Sequence, residues 1–370
     1  MSTQQTTFDA CPTSDPTTDA VIAAEINDAD DVFAAVDEFV DEILTAADQA
    51  VASDRLVNYL DQAAAVGFGR YSSQNQVALI SQLNNREEEY KDYAPHWAGF
   101  WTWQNEHNRV VEKGETGFTI LAPVTGPACP HCGNAPNYHD GNDALDCPRA
   151  GENPDTWDFD PQEEWSEGTL YFSTATTFAF QQTKPLEDAD DDDTFTPQDV
   201  ANGDDDRAAT LFDTLTEAAE SGVLPSGELA VRTEGRQYRP QSKGASRGGE
   251  IFVASGERQH TDRFRTLVHE IAHEILHQNT NNVPDNVKEV EAEAIAYTVS
   301  KYFGFDASGS DLYIGSWIDH AHAAASDTAD DDTDAVARGV IKNRIDTIQN
   351  TAATIITTIE EKEGEEREEE

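Results

Sequence analysis

The stretch His269-Glu270-Ile271-Ala272-His273 is where residue type and spacing most directly imply chemistry. Its two histidines stand four positions apart, so on a helix both imidazoles project from one face and can share a metal ion. Glu270 lies beside them. Zinc held by three protein ligands lowers the pKa of a bound water to about 7, and a neighbouring carboxylate can take that proton as general base for attack on a carbonyl. A third ligand is required, and it is expected from the next helix, in Glu289-Val-Glu-Ala-Glu293. Glu289 and Glu293 share a helix face there, and Glu291 points roughly opposite. Glu289 is therefore the expected ligand, Glu293 an acceptor that orients a ligating histidine, and Glu291 an acid that solvates the helix. His277 extends the histidine row by one turn and reads as structural or as a ligand-orienting residue. Tyr297, Tyr313, His320 and His322 are the candidates for stabilising an oxyanion.

A second constellation is Cys129-Pro-His-Cys132-Gly. Two thiolates at this spacing form half of a zinc knuckle, with the glycine letting backbone amides turn toward sulfur. Cys147 follows 15 residues after Cys132 with His139 between them, so Cys129, Cys132, His139 and Cys147 make a four-ligand site. Being closed, it has no position for a substrate, and its expected role is to staple a loop too short and polar to fold alone. A redox dithiol would need a thioredoxin-like βαβ setting, which the Pro, Asn and Gly rich surroundings do not supply. His131 reads as exposed within the turn and Cys11 as a free thiol.

These residues need elements to hold them. Apolar residues from Val32 through Val51 recur at three and four, predicting one amphipathic helix. Further helices are expected over Leu56–Ala65 and Ser73–Leu83. Strands are expected at Phe118–Ala122 and Thr169–Phe172, with aromatic stretches at 97–103 and 178–180. After an acidic linker, residues 187–206, the pattern predicts a helix over Ala208–Ser221 and strands near Leu229–Arg232 and Glu250–Val253. Two helices follow at about 261–279 and 286–303. The stripe Val336, Val340, Ile341, Ile345, Ile348, Ile355 and Ile359 predicts a terminal helix ending in a solvated tail of glutamates. The division is a leader (1–30), a first domain (31–186, with the cysteine loop at 127–150), the linker, a second domain (207–325) and a terminal segment (326–370).

Composition limits the functional classes. With 24 Lys plus Arg against 72 Asp plus Glu, the net charge is −48, which excludes an ordinary basic nucleic-acid binder. Arginine outnumbers lysine 16 to 8, and this bias with such acidity predicts a protein of molar salt, from an extreme halophile. Of the 48 net negative charges, 33 lie in residues 1–50, 187–206, 327–334 and 360–370, which leaves −15 for the other 281 residues. One region is locally basic: Arg232, Arg236, Arg239, Lys243, Arg247, Arg258, Arg263 and Arg265 outnumber Glu234, Glu250, Glu257 and Asp262. It is either a surface for nucleic acid or acidic substrate, or pairs with neighbouring acids. No basic residue precedes Arg55 and no run reaches the roughly 18 apolar residues of a membrane span, so the expectation is a soluble cytoplasmic protein without membrane partners.

From Thr266-Leu-Val-His-Glu-Ile-Ala-His273 through Glu289-Val-Glu-Ala-Glu-Ala-Ile-Ala-Tyr297 to Tyr313-Ile-Gly-Ser-Trp317, the second domain resembles zincin-like peptidase domains of the IrrE and ImmA type. It is especially similar to those attached to ArdC-like antirestriction proteins of plasmids and phages. That resemblance implies His269, His273 and Glu289 as ligands and Glu270 as base, with a shift of the third ligand to Glu291 or Glu293 as the alternative. Arg70-Tyr71-Ser72, Asn75, Trp97-Ala-Gly-Phe-Trp-Thr-Trp103 and Glu112-Lys-Gly-Glu115 resemble the single-stranded-DNA-binding domain of ArdC-like proteins. Single-strand binding needs aromatic faces for bases and cations for phosphates, for which Arg70, Tyr71, Trp101, Trp103, Arg109 and Lys113 are the candidates. The expected molecule is α+β: an ArdC-like N-terminal domain with a zinc-knuckle insertion, linked to a mainly helical zincin-like domain. It would hold one catalytic-type and one structural zinc and bind single-stranded DNA and a protein substrate. The alternatives are a non-catalytic DNA-protecting protein and an IrrE-like regulator that cleaves a repressor.

Overall fold

The computed structural model describes residues 25–369, apart from 47–48, 67–70, 87–95, 130–131, 133, 136–137, 139–146, 148–165, 187–204, 234–242, 255–258, 279–282, 308–313 and 328–332. Most of the leader, the linker and the acidic break lie outside the described residues. So do Cys11, Arg70, His131, His139, Arg236, Arg239, Arg258 and Tyr313.

Helix α1 (Ala29–Leu44) starts at a capping box in which Asp28 and Asp31 accept from each other's backbone N–H, and it buries Val32, Val36, Phe39, Val40 and Ile43. The single helix expected through Val51 is two. Thr45 closes α1, its hydroxyl donating to the Asp41 carbonyl at 2.6 Å, and α2 (Gln49–Val66) starts afresh with Val51 exposed. Helix α3 (Ser73–Asn85) follows, capped by Ser72.

The aromatic stretch after α3 forms strand β1 (Trp97–Gly99) and the short helix α4 (Phe100–Asn105), followed by β2 (Arg109–Val111). The two short strands expected next are arms of one longer hairpin, β3 (Phe118–Ala128) and β4 (Ser166–Ala179). They pair antiparallel from Phe118 opposite Thr177 to Ala128 opposite Ser166, with a register shift at Val124/Thr125. The cysteine loop hangs between the arms. Strand order is β1-β4-β3, and β5 (Thr183–Pro185) pairs separately with β2.

The second segment opens with α5 (Asp205–Ser221) and a three-stranded sheet of β6 (Ala230–Arg232), β7 (Gly244–Ser246) and β8 (Glu250–Val253), in order β6-β8-β7. Helices α6 (His260–Leu276), α7 (Asp285–Tyr302) and α8 (Gly315–Asp327) follow. Helix α9 (Thr333–Glu369) spans 37 residues, about 55 Å at 1.5 Å per residue. It packs against α1 and α3 as well as α5, α6, α7 and α8, so one apolar core runs through both segments. Its glutamate tail is helical rather than simply solvated: Glu363 is buried and accepts from Arg207 Nη2 at 2.8 Å. The fold is α+β. Among the described residues, no helix is long and apolar enough to cross a membrane.

Candidate metal centre

Phe264, Leu267, Val268, Ile271 and Ala272 bury one face of α6 and thereby turn His269, Glu270 and His273 toward a groove of about 580 Å³. The opposite wall is the β7 strand and the Gly248 turn after it. His269 Nε2 and His273 Nε2 stand 3.1 Å apart. Glu289, on the first turns of α7, bridges them, with Oε2 3.6 Å from His269 Nε2 and Oε1 3.6 Å from His273 Nε2. These three side chains converge within 4.8 Å of one another. Glu293 faces the other ring nitrogen, its Oε2 3.3 Å from His269 Nδ1, and also pairs with Arg265. A proton on Nδ1 shared with Glu293 leaves Nε2 a lone pair aimed at His273 and Glu289, which is the tautomer a metal ligand needs.

The electrostatics of the cluster favour a cation. Burial opposes protonation of His269, yet hydrogen bonds to Glu289 and Glu293 outweigh it and raise its pKa to about 9. Hydrogen bonds from His269 and His273 hold Glu289 well below the usual carboxylate range. For Glu293 burial pulls upward, but His269 and Arg265 keep it low. Glu270 is 7% exposed, and burial pushes its carboxyl up, opposed by the nearby imidazoles and by a hydrogen bond with Ser246. Two imidazoles and a carboxylate beside an open groove are a donor set that would suit zinc.

Sequence reasoning missed three parts of this centre. Glu291 is not a solvated acid: it is 5% exposed and pairs with Arg344 of α9, with the His277 ring 3.4 Å from its other oxygen. The direction away from the metal face is interior because α9 covers it. Glu274 is buried and accepts from the backbone N–H groups of Gly248 and Gly249, both at 2.9 Å, tying the β7–β8 turn to α6. Gly244 lies against Glu270. The run Gly244, Gly248, Gly249 before a strand was the available signal for a tight hairpin. Two oxyanion candidates are engaged elsewhere. The Tyr297 hydroxyl donates to Asp61 on α2 at 2.7 Å, and His320 Nδ1 accepts from Arg344 at 3.0 Å.

The thiols of Cys129, Cys132 and Cys147 also gather within 4.8 Å, with Cys129 and Cys147 buried. The Cys129 N–H donates to the Asn134 carbonyl at 2.8 Å, curling the loop back on itself. Three soft sulfur donors without a disulfide among them match zinc, whose thiolate bonds are about 2.3 Å. His139 is outside the described residues.

The proposed DNA-contacting residues separate. Trp101 is 68% exposed and Lys113 is exposed; Tyr71 is half-buried with its hydroxyl 2.7 Å from Thr177 Oγ1. Trp103 and Arg109 are corrected to structural roles. Trp103 is 1% exposed and donates Nε1–H to the Phe178 carbonyl at 2.9 Å, so no base can reach its ring. Arg109 is 6% exposed, stacked 4.0 Å over Phe180 and bonded to Thr183 Oγ1 and O, which leaves no face for phosphate. In the basic stretch, Arg232 pairs with Glu250, Arg265 with Glu293, and Arg263 lies over Phe212 at 4.4 Å, while Lys243 and Arg247 are exposed.

No family model and no curated protein matches the chain. Among solved structures it is similar to the antirestriction protein ArdC from plasmid R388. The metal-free form is 16% identical, with a TM-score of 0.40 over 85% of this chain and 96% of that one. The Mn(II)-bound form is 15% identical, with a TM-score of 0.35 over 81% and 96%.

Proposed function

We propose that the protein is a zinc-dependent peptidase with a single-stranded-DNA-binding module, of antirestriction or mobile-element type. The observation that carries the peptidase reading is the convergence of His269, His273 and Glu289 on one point beside the buried Glu270, in an open groove. These three residues would hold the ion, which would supply Lewis acidity for attack on a scissile carbonyl. Glu270 would take a proton from the attacking water and return it to the leaving amine as the C–N bond breaks. Burial raises its proton affinity toward that of a group able to do both. Strand β7 stands at the edge of its sheet and lines the groove beside Glu270, where an extended polypeptide would lie along it. Glu274 holds that wall in place.

Cys129, Cys132 and Cys147, with His139, would hold a second, structural zinc on the β3–β4 hairpin. Trp101 and Lys113 are the exposed aromatic and cation that support DNA binding by the first segment. In this reading DNA brings the peptidase to proteins bound there.

The test is Glu270→Gln in the full chain at molar KCl, with metal content and cleavage of a peptide library measured together. The variant should keep both zinc ions and lose at least about 10²-fold in cleavage rate. Equal cleavage by the variant and its parent defeats the mechanism. If the parent cleaves nothing but protects single-stranded oligonucleotide from nuclease equally with and without the substitution, the molecule is a DNA-protecting binding protein.

A further inference from the structure

Glu289, the bridging carboxylate, is 65% exposed and meets the protein at the two ligand histidines. Where it stands is set by the backbone of α7, and the residues on either side of it are gripped from two other helices. Glu291 is buried, its Oε1 accepting from Arg344 Nη1 of α9 and its Oε2 lying 3.4 Å from His277 Nε2. The His277 side chain hydrogen-bonds the backbone of Lys288, and the His277 backbone N–H closes α6 on the His273 carbonyl at 2.9 Å. Arg344 continues to α8, where Nη2 donates to His320 Nδ1 at 3.0 Å. Residue 288 is thus tied to the end of the helix that carries His269 and His273, and residue 291 to α9, with the His277 ring packed between them.

We infer that Arg344, Glu291 and His277 form a clamp that sets where α7 presents Glu289, and so act as positioning residues for the metal. The inference rests on the reading of His269, His273 and Glu289 as ligands. Three buried ionisable groups cost desolvation that an aliphatic cluster would not. What they supply instead is direction, because the planar guanidinium holds a carboxylate in a defined orientation that apolar packing cannot specify. An error of a few tenths of an ångström at Glu291 passes along rigid helix to Glu289.

Titration of the full chain with Mn(II), followed by electron paramagnetic resonance at molar KCl, tests this without interference from the thiolates, which Mn(II) disfavours. Arg344→Met should weaken Mn(II) binding about 10- to 100-fold, the range seen when residues that orient ligands are lost. Glu291→Gln, nearly isosteric and milder, should move it the same way, and Arg344→Lys should recover only part. Ile355→Ala, on the same helix but outside the clamp, controls for lost stability and should leave affinity within about twofold. In a Glu289→Ala background, Arg344→Met should add no more than about twofold, since the group it positions is gone. A full loss persisting in that background overturns the clamp, as does an Arg344→Met affinity equal to that of Ile355→Ala. Parent-like binding by Glu289→Ala alone overturns the ligand reading and the clamp with it.

Discussion

Gly244 shows how little room the general base has. A Cβ there would lie 2.6 Å from Glu270 Oε1 and 2.6 Å from Thr266 Cγ2, so the close approach of β7 to α6 requires glycine. Gly244→Ala should displace the Glu270 carboxylate and lower kcat about 10²-fold while zinc content stays unchanged, as misplacement by an ångström does. Metal analysis with peptide kinetics checks this; an unchanged kcat would remove Glu270 from the reacting position. The histidine pair was legible in the sequence because helical periodicity decides which side chains share a face. Gly244 was not, because its partner is 26 residues away in a stretch that reads only as loop. Glu291 was misread for a similar reason: periodicity gives its direction from the histidines, but whether that direction meets water depends on Arg344, 53 residues later.

At the scale of elements, strand β3 is an edge, and α3 completes it. The Asn75 side-chain amide accepts from Leu121 N at 2.7 Å and donates to Leu121 O at 2.9 Å. Two turns on, Gln82 does the same with Thr119 N and O, both at 2.8 Å. Two amides on one helix face stand in for a neighbouring strand at Thr119 and Leu121 and block that part of the edge. Asn75→Leu would orphan the buried backbone groups of Leu121, each costing about 1–3 kcal/mol. It should therefore lower the unfolding free energy by about 2–6 kcal/mol in denaturant titration, with a loss under about 0.5 kcal/mol excluding the pairing as a source of stability. Asn75 drew notice as part of a family motif, yet its contact could not be read without the strand. The long helices were legible because many residues repeat a period. The strands β1, β2, β5 and β7 have three residues each and no period to detect.

At the scale of the molecule, 33 of the 48 net negative charges sit in residues 1–50, 187–206, 327–334 and 360–370, and the two segments are drawn together by α9. Its buried residues Ile341, Ile345, Ile348, Ala352, Ile355 and Ile359 alternate spacings of four and three, a heptad-like stripe that winds only slowly around the helix. Around that stripe α9 bonds outward to the first segment through Arg338 to Asp41 at 2.6 Å and Gln349 to Gln76 at 2.9 Å. It reaches the metal helices through Arg344 and Glu291. The amphipathic pattern of α9 was legible; its two sets of partners were not, because a stripe records that a face is buried and not what buries it. One helix shared by both segments should make their unfolding cooperative. Ile348→Ala, which opens a cavity at a fully buried position, should cost about 2–5 kcal/mol. Tryptophan fluorescence, which reports mainly on the first segment, and release of Mn(II) from the second should shift to lower denaturant by the same amount. Two separated transitions, with only one moved by the substitution, would show that the segments keep independent cores and that α9 only bridges them.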